Sequence, residues 1–74
     1  MPKLPTVTGK ETIRALSQIG FEIVRQKGSH VRMKHADGRV VTIPVHGNKN
    51  LGKGLLRKIL RDAELTVEQF QEIL

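Results

Sequence analysis

At 74 residues, with 13 Lys and Arg against 7 Asp and Glu, the chain carries a formal charge of +6 at neutral pH, which favours anionic partners whose binding weakens with salt. A chain of this length buries only about 60% of its unfolded surface, so one thin-cored domain over residues 1–74 is expected. The absence of cysteine excludes disulfides, thiolate zinc sites and cysteine nucleophiles, and no apolar run is long enough for a signal sequence or a bilayer span, which predicts a soluble cytoplasmic protein without a membrane partner.

After a short, proline-broken stretch over residues 1–5, Thr8-Gly9-Lys10-Glu11 has the form of a capping box. In that motif the threonine hydroxyl and the glutamate carboxylate each satisfy a backbone donor at a helix start. Ile13, Leu16 and Ile19 recur at helical spacing with Ala15 beside them, and Gly20 supplies a left-handed stop. A first helix over roughly residues 9–19 follows.

From Phe21 the pattern changes to short β-branched segments, which predict strands over roughly residues 21–27, 30–35 and 39–45. Gly28-Ser29 suits a two-residue type II′ hairpin. That turn pairs Lys27 with His30, Gln26 with Val31, Arg25 with Arg32 and Val24 with Met33. For the second turn, a two-residue Asp37-Gly38 loop would set Met33 against Thr42 and mix faces. A three-residue loop of Ala36, Asp37 and Gly38 instead sets Met33 against Val41 and Val31 against Ile43, and is the preferred register. Strand alternation then turns Val24, Val31, Met33, Val41 and Ile43 to the core, and Arg25, Lys27, His30, Arg32, Lys34 and Thr42 to the other face. Phe21 and Ile23 break this partition, as residues under a helix end or at a bulge would.

Residues 44–50, Pro-Val-His-Gly-Asn-Lys-Asn, read as a loop, and glycines at 52 and 54 delay the next helix. Leu55, Leu56, Ile59, Leu60 and Ala63 form its apolar stripe, flanked by Arg57, Lys58 and Arg61. Thr66 and Gln69 form a second capping box before a short terminal helix holding Phe70. The α-β-β-β-α order predicts an α+β fold with helices on one face of a three-stranded antiparallel sheet, the layout of a double-stranded-RNA-binding domain.

The candidate chemistry centres on Lys27-Gly28-Ser29-His30-Val31-Arg32-Met33-Lys34. Histidine takes and gives protons near neutrality, and at a hairpin exit among cations it can serve as acid or base at a phosphodiester; the plainer reading is an exposed strand histidine. Arg25, Lys27, Arg32 and Lys34 fit phosphate positioning as well as a solvated basic face. His46 follows the third strand close to the position opposite His30, where it suits an RNA contact or a second proton transfer. Lys49 and Lys53, in a glycine-containing loop ahead of a helix, fit anion contact or a flexible connection, but the loop lacks Walker spacing. His35 reads as a hairpin residue. Three histidines without spaced carboxylates give no metal-ligand pattern, so metal-independent chemistry is expected. Two phenylalanines as the only aromatics argue against a base-stacking platform.

Thr8-Gly9-Lys10-Glu11, Gly20-Phe21-Glu22, Arg25-Gln26-Lys27-Gly28-Ser29-His30, Asp37-Gly38, Ile43-Pro44-Val45-His46 and Leu56-Arg57-Lys58-Ile59-Leu60, in this order and spacing, resemble the HicA (YcfA-like) toxin family. The resemblance covers nearly the whole chain. It implies the double-stranded-RNA-binding-domain-like fold, an endoribonuclease acting on mRNA without a small-molecule cofactor, and neutralisation by a HicB-type antitoxin. The family's catalytic histidine follows a glycine-serine pair and falls on His30. RNA contacts are then expected from Arg25, Lys27, Ser29, Arg32, Lys34, His46, Lys49 and Lys53. The chain departs from the family pattern at Ala36, where proline is frequent, at Asn50, where an acidic residue is common, and at Glu64, where glycine often follows the helix. Two other functions share the same features: a non-catalytic RNA-binding module, which would bind RNA without cutting it, and a protein-interaction domain for an acidic partner.

Overall fold

The computed structural model describes residues 3–74; Met1 and Pro2, at the start of the proline-broken stretch, lie outside the described residues. The chain folds in the order α1 (Gly9–Ser17), β1 (Phe21–Lys27), β2 (His30–His35), β3 (Val40–Pro44), α2 (Lys53–Ala63) and α3 (Val67–Glu72). The sheet is antiparallel in the order β1-β2-β3, with β1 at one edge. This is the α+β, double-stranded-RNA-binding-domain-like arrangement expected from the sequence.

Local chemistry sets the helix boundaries. At α1 the Thr8 hydroxyl accepts from the Glu11 amide at 3.2 Å and the Thr8 amide donates to Glu11 Oε1 at 2.9 Å. The same reciprocal pair, Thr66 with Gln69, opens α3. Helix α1 closes at Ser17, two residues before the expected end, and turns through Gly20 at φ +99°. Helix α2 begins at Lys53 with Gly54 already inside it. Packing of Leu56, Ile59, Leu60 and Ala63 against the sheet and the N-terminal segment outweighs a glycine propensity cost of about 1 kcal/mol. Leu55, expected on this stripe, instead faces solvent.

The strand register matches the expected one over most of its length. Lys27 pairs with His30, Gln26 with Val31 and Arg25 with Arg32, around a Gly28 at φ +58° with Ser29 at negative φ, as a type II′ turn requires. Met33 pairs with Val41 and Val31 with Ile43, so the second hairpin has the three-residue loop ending in Gly38 at φ +102°.

Strand β1 corrects the expectation at Val24. Ile23, not Val24, pairs with Met33, and a bulge falls between Ile23 and Arg25. Residues 21, 23, 25 and 27 share one parity, so a straight strand would send Phe21 and the cations Arg25 and Lys27 to the same face. The extra residue at Val24 flips the parity midway. Phe21 is thereby 1% exposed, Arg25 and Lys27 face outward, and Val24, expected in the core, is 55% exposed.

The core lies between the sheet and the helices. Leu16, Phe21, Val31, Met33, Val41, Ile43, Ile59 and Ala63 form its main cluster, and Val7, Ala15, Leu56, Leu60 and Phe70 form a second one under α3.

Candidate nucleic-acid interface

The Gly28-Ser29 turn, the end of β3 and the starts of both long helices meet at one end of the domain. His30 pairs with Pro44 as well as Lys27, and the Val45 amide donates to the Ser29 carbonyl at 2.6 Å. Gly9, the first residue of α1, lies directly on Pro44: a Cβ there would stand 2.2 Å from the Pro44 carbonyl oxygen. The Leu51 amide donates to the Val7 carbonyl at 2.8 Å, and Asn50 bridges to Thr8. These bonds hold the 46–50 turn and the approach to α2 beside the start of α1.

The opposite end is tied by side chains. His35 Nε2 lies 2.9 Å from the Ile19 carbonyl just beyond α1, while its Nδ1 lies 3.1 Å from the Asp37 amide and 3.2 Å from Asp37 Oδ1. Arg39 forms an ion pair with Asp37 at 2.8 Å, donates to the Ala63 carbonyl at the end of α2, and stacks over Phe21. The Arg39 amide bonded to the Asp37 carboxylate holds its pKa below the ordinary value against opposing desolvation, and the hydrogen bond and charge of the Arg39 guanidinium, with His35 close by, lower it further. His35, read from the sequence as an ordinary hairpin residue, is therefore an anchor for the sheet and α1.

Both helices consequently point their N-termini toward His30 and their C-termini away from it. Each N-terminus carries about half a positive charge. At α1 it is capped by Thr8 and Glu11, whereas the Gly52 cap of α2 offers no side chain and the first turn of α2 has no acidic residue. The backbone thus adds to the field of the side chains at this end.

The candidate residues divide by position. Lys27 and His30 stand directly opposite each other on the outer face, and the next outward pair along the strands is Arg25 with Arg32. All four are exposed. Like charges directly across a sheet cost stability. Neither Arg25, Lys27 nor Arg32 forms an ion pair among the described residues. The result is a two-by-two cationic block on which an anion can sit beside an imidazole. Ser29 is half-buried in the turn that presents His30. Lys34 shares the outer face but pairs with Glu22, four residues along β2, about 13 Å from His30. His46 and Lys49 are exposed at either end of one turn, closed by the Lys49 amide on the His46 carbonyl at 3.0 Å. Lys53 is exposed at the start of α2.

Sequence reasoning did not select Lys10, which the Gly9 contact with Pro44 brings to the same end, exposed on the first turn of α1. The signal was Gly9 itself: a glycine inside a capping box spends helix propensity unless something must approach closely. Among the described residues no three of His, Cys, Asp and Glu come together as a metal site, and no helix is long and apolar enough to cross a membrane.

A family model described as the HicA toxin of bacterial toxin-antitoxin matches residues 9–65, a span that runs from the first residue of α1 to just beyond α2 and contains the whole cationic end. No curated protein matches the chain.

Proposed function

The chain belongs to the HicA toxin family, the toxin component of a toxin-antitoxin system, and on that premise we propose that it is an endoribonuclease that cleaves mRNA through His30 and is neutralised by a HicB-type antitoxin. The observation that carries this reading is the outward block of Arg25, Lys27, His30 and Arg32, in which one imidazole stands among three cations that have no carboxylate partner among the described residues. Such a block tolerates like-charge repulsion in the free protein and releases it when a polyanion binds.

In this reading Arg25, Lys27 and Arg32 hold the phosphates around the scissile bond and stabilise charge that develops on the phosphoryl oxygens. Lys49 and Lys53 extend the grip around the end of the domain, and Lys34 reaches a phosphate farther along the strand. Ser29, half-buried in the hairpin turn, faces the RNA backbone beside His30. His30 takes the proton of the ribose 2′-hydroxyl as that oxygen attacks the adjacent phosphorus. The new O2′–P bond forms as the P–O5′ bond breaks, leaving a 2′,3′-cyclic phosphate on one fragment. The departing 5′-oxygen needs a proton, and His46, two residues beyond the Pro44 that pairs with His30, is the candidate donor. No step requires a cofactor.

The test is induced expression of the wild type and of His30→Ala, reading growth and RNA integrity together. Growth arrest with fragmented mRNA in the wild type alone supports the nuclease. Arrest by both proteins with intact RNA supports a binding module that acts without cutting.

A further inference from the structure

One feature of the surface has no use in gripping RNA. Ile23 and Val24 are 53% and 55% exposed, adjacent on β1, whose far edge pairs with no other strand among the described residues. The bulge separates them: Ile23 keeps the helix-side parity beyond the cover of α1, while Val24 lines a shallow groove of about 340 Å3 with Glu22 and Lys34. Phosphate and ribose gain nothing from two aliphatic side chains. An open strand edge bearing exposed aliphatics is, however, a template for an added strand from another protein.

Charge decides which strand fits. Arg25 and Lys27 continue the same edge, with Arg32 behind Arg25. A second copy of this chain would bring another +6 charge to the contact, and the bulge distorts the edge against indiscriminate pairing. A segment with aliphatic side chains followed by carboxylates meets every feature of the edge. We propose that the antitoxin neutralises this toxin by adding an extended acidic and aliphatic segment to the free edge of β1, its aliphatic side chains covering Ile23 and Val24 and its carboxylates seated on Arg25, Lys27 and Arg32. The same block that holds phosphates is then occupied by carboxylates next to His30, so inhibition and substrate binding compete for the same cations. The aliphatic contacts belong to the antitoxin alone, which gives discrimination between two anionic partners.

This inference rests on the toxin-antitoxin reading above, and the test separates the two. The double variant Ile23→Thr, Val24→Thr keeps β-branched side chains on the strand and leaves every cation in place. Measured with the cognate antitoxin, it should bind about 10- to 100-fold more weakly than the wild type, as loss of two buried aliphatic contacts implies, while RNA cleavage without antitoxin stays unchanged. Amide exchange gives a second readout: β1 amides of the wild type should slow when antitoxin is bound but not when RNA is bound, because RNA engages side chains. Unchanged antitoxin affinity, or antitoxin binding without slower exchange in β1, overturns the inference. Loss of RNA cleavage in the double variant also overturns it, by making Ile23 and Val24 part of the substrate surface. A wild-type chain that cleaves no RNA refutes the nuclease reading and leaves the exchange experiment to decide the docking edge by itself.

Discussion

Arg32→Thr should make the protein more stable and a poorer binder of RNA. Arg32 stands between Arg25 on one neighbouring strand and Thr42 on the other, with no ion pair among the described residues. Two guanidiniums about 8 Å apart in water repel by about 0.5 kcal/mol, reduced by salt at physiological strength, and measured cross-strand effects span about 0.2–1 kcal/mol. Removing the repulsion and introducing a β-branched residue opposite Thr42 should therefore raise stability by about 0.5 kcal/mol, or about 2–4 °C in Tm for a domain of this size. The loss of one phosphate contact should lower the slope of log affinity against log salt by about 0.7 for single-stranded RNA. Thermal melts and RNA titrations at four salt concentrations measure both. A variant that is less stable and binds RNA with an unchanged salt slope would refute the view that this pair is kept for an anion.

Three further substitutions probe the scaffold. Gly9→Ala places a Cβ on the Pro44 carbonyl and should destabilise the fold by about 2 kcal/mol or more, read by denaturant unfolding, because backbone on both sides must move. Glu64 closes α2 at φ 58°, a conformation that costs a non-glycine residue about 1 kcal/mol; Glu64→Gly should recover that amount, and no rise in Tm would show that the side chain compensates. Asp37 has its pKa lowered by the Arg39 amide and guanidinium, so its stabilising contribution is complete above the ordinary carboxylate range and is lost as pH falls through the lowered value. Acid titration of Asp37→Asn should accordingly show a shallower loss of stability below about pH 4 than the wild type.

Motifs that act within four residues were legible in the sequence. Both capping boxes and the Gly28 and Gly38 turns are local chemistry, and the register of the second hairpin followed from keeping Met33 and Val31 on one face with Val41 and Ile43. The outward placement of Arg25, Lys27, His30 and Arg32 was legible for the same reason. What escaped depends on distant partners. Phe21 and Ile23 conflicted with the alternation, but the pattern alone does not say which residue absorbs the slip; burial of Phe21 beneath Arg39 and against His35 fixes it at Val24. The role of His35 requires knowing that the Ile19 carbonyl lies within reach. That Lys10 joins the His30 end depends on contact between Gly9 and Pro44, 35 positions apart. The early start of α2 reflects packing that overrides the propensity of Gly54.

The exposed side chain of His30 makes His30→Ala compatible with an unchanged fold, which circular dichroism and a thermal melt can verify. Purified wild type incubated with a defined RNA and a chelator should yield fragments ending in 2′,3′-cyclic phosphate, and His30→Ala should cut the same RNA about 10²- to 10⁴-fold more slowly. A folded His30→Ala protein that cleaves at the wild-type rate would exclude His30 as the acid-base residue of the reaction.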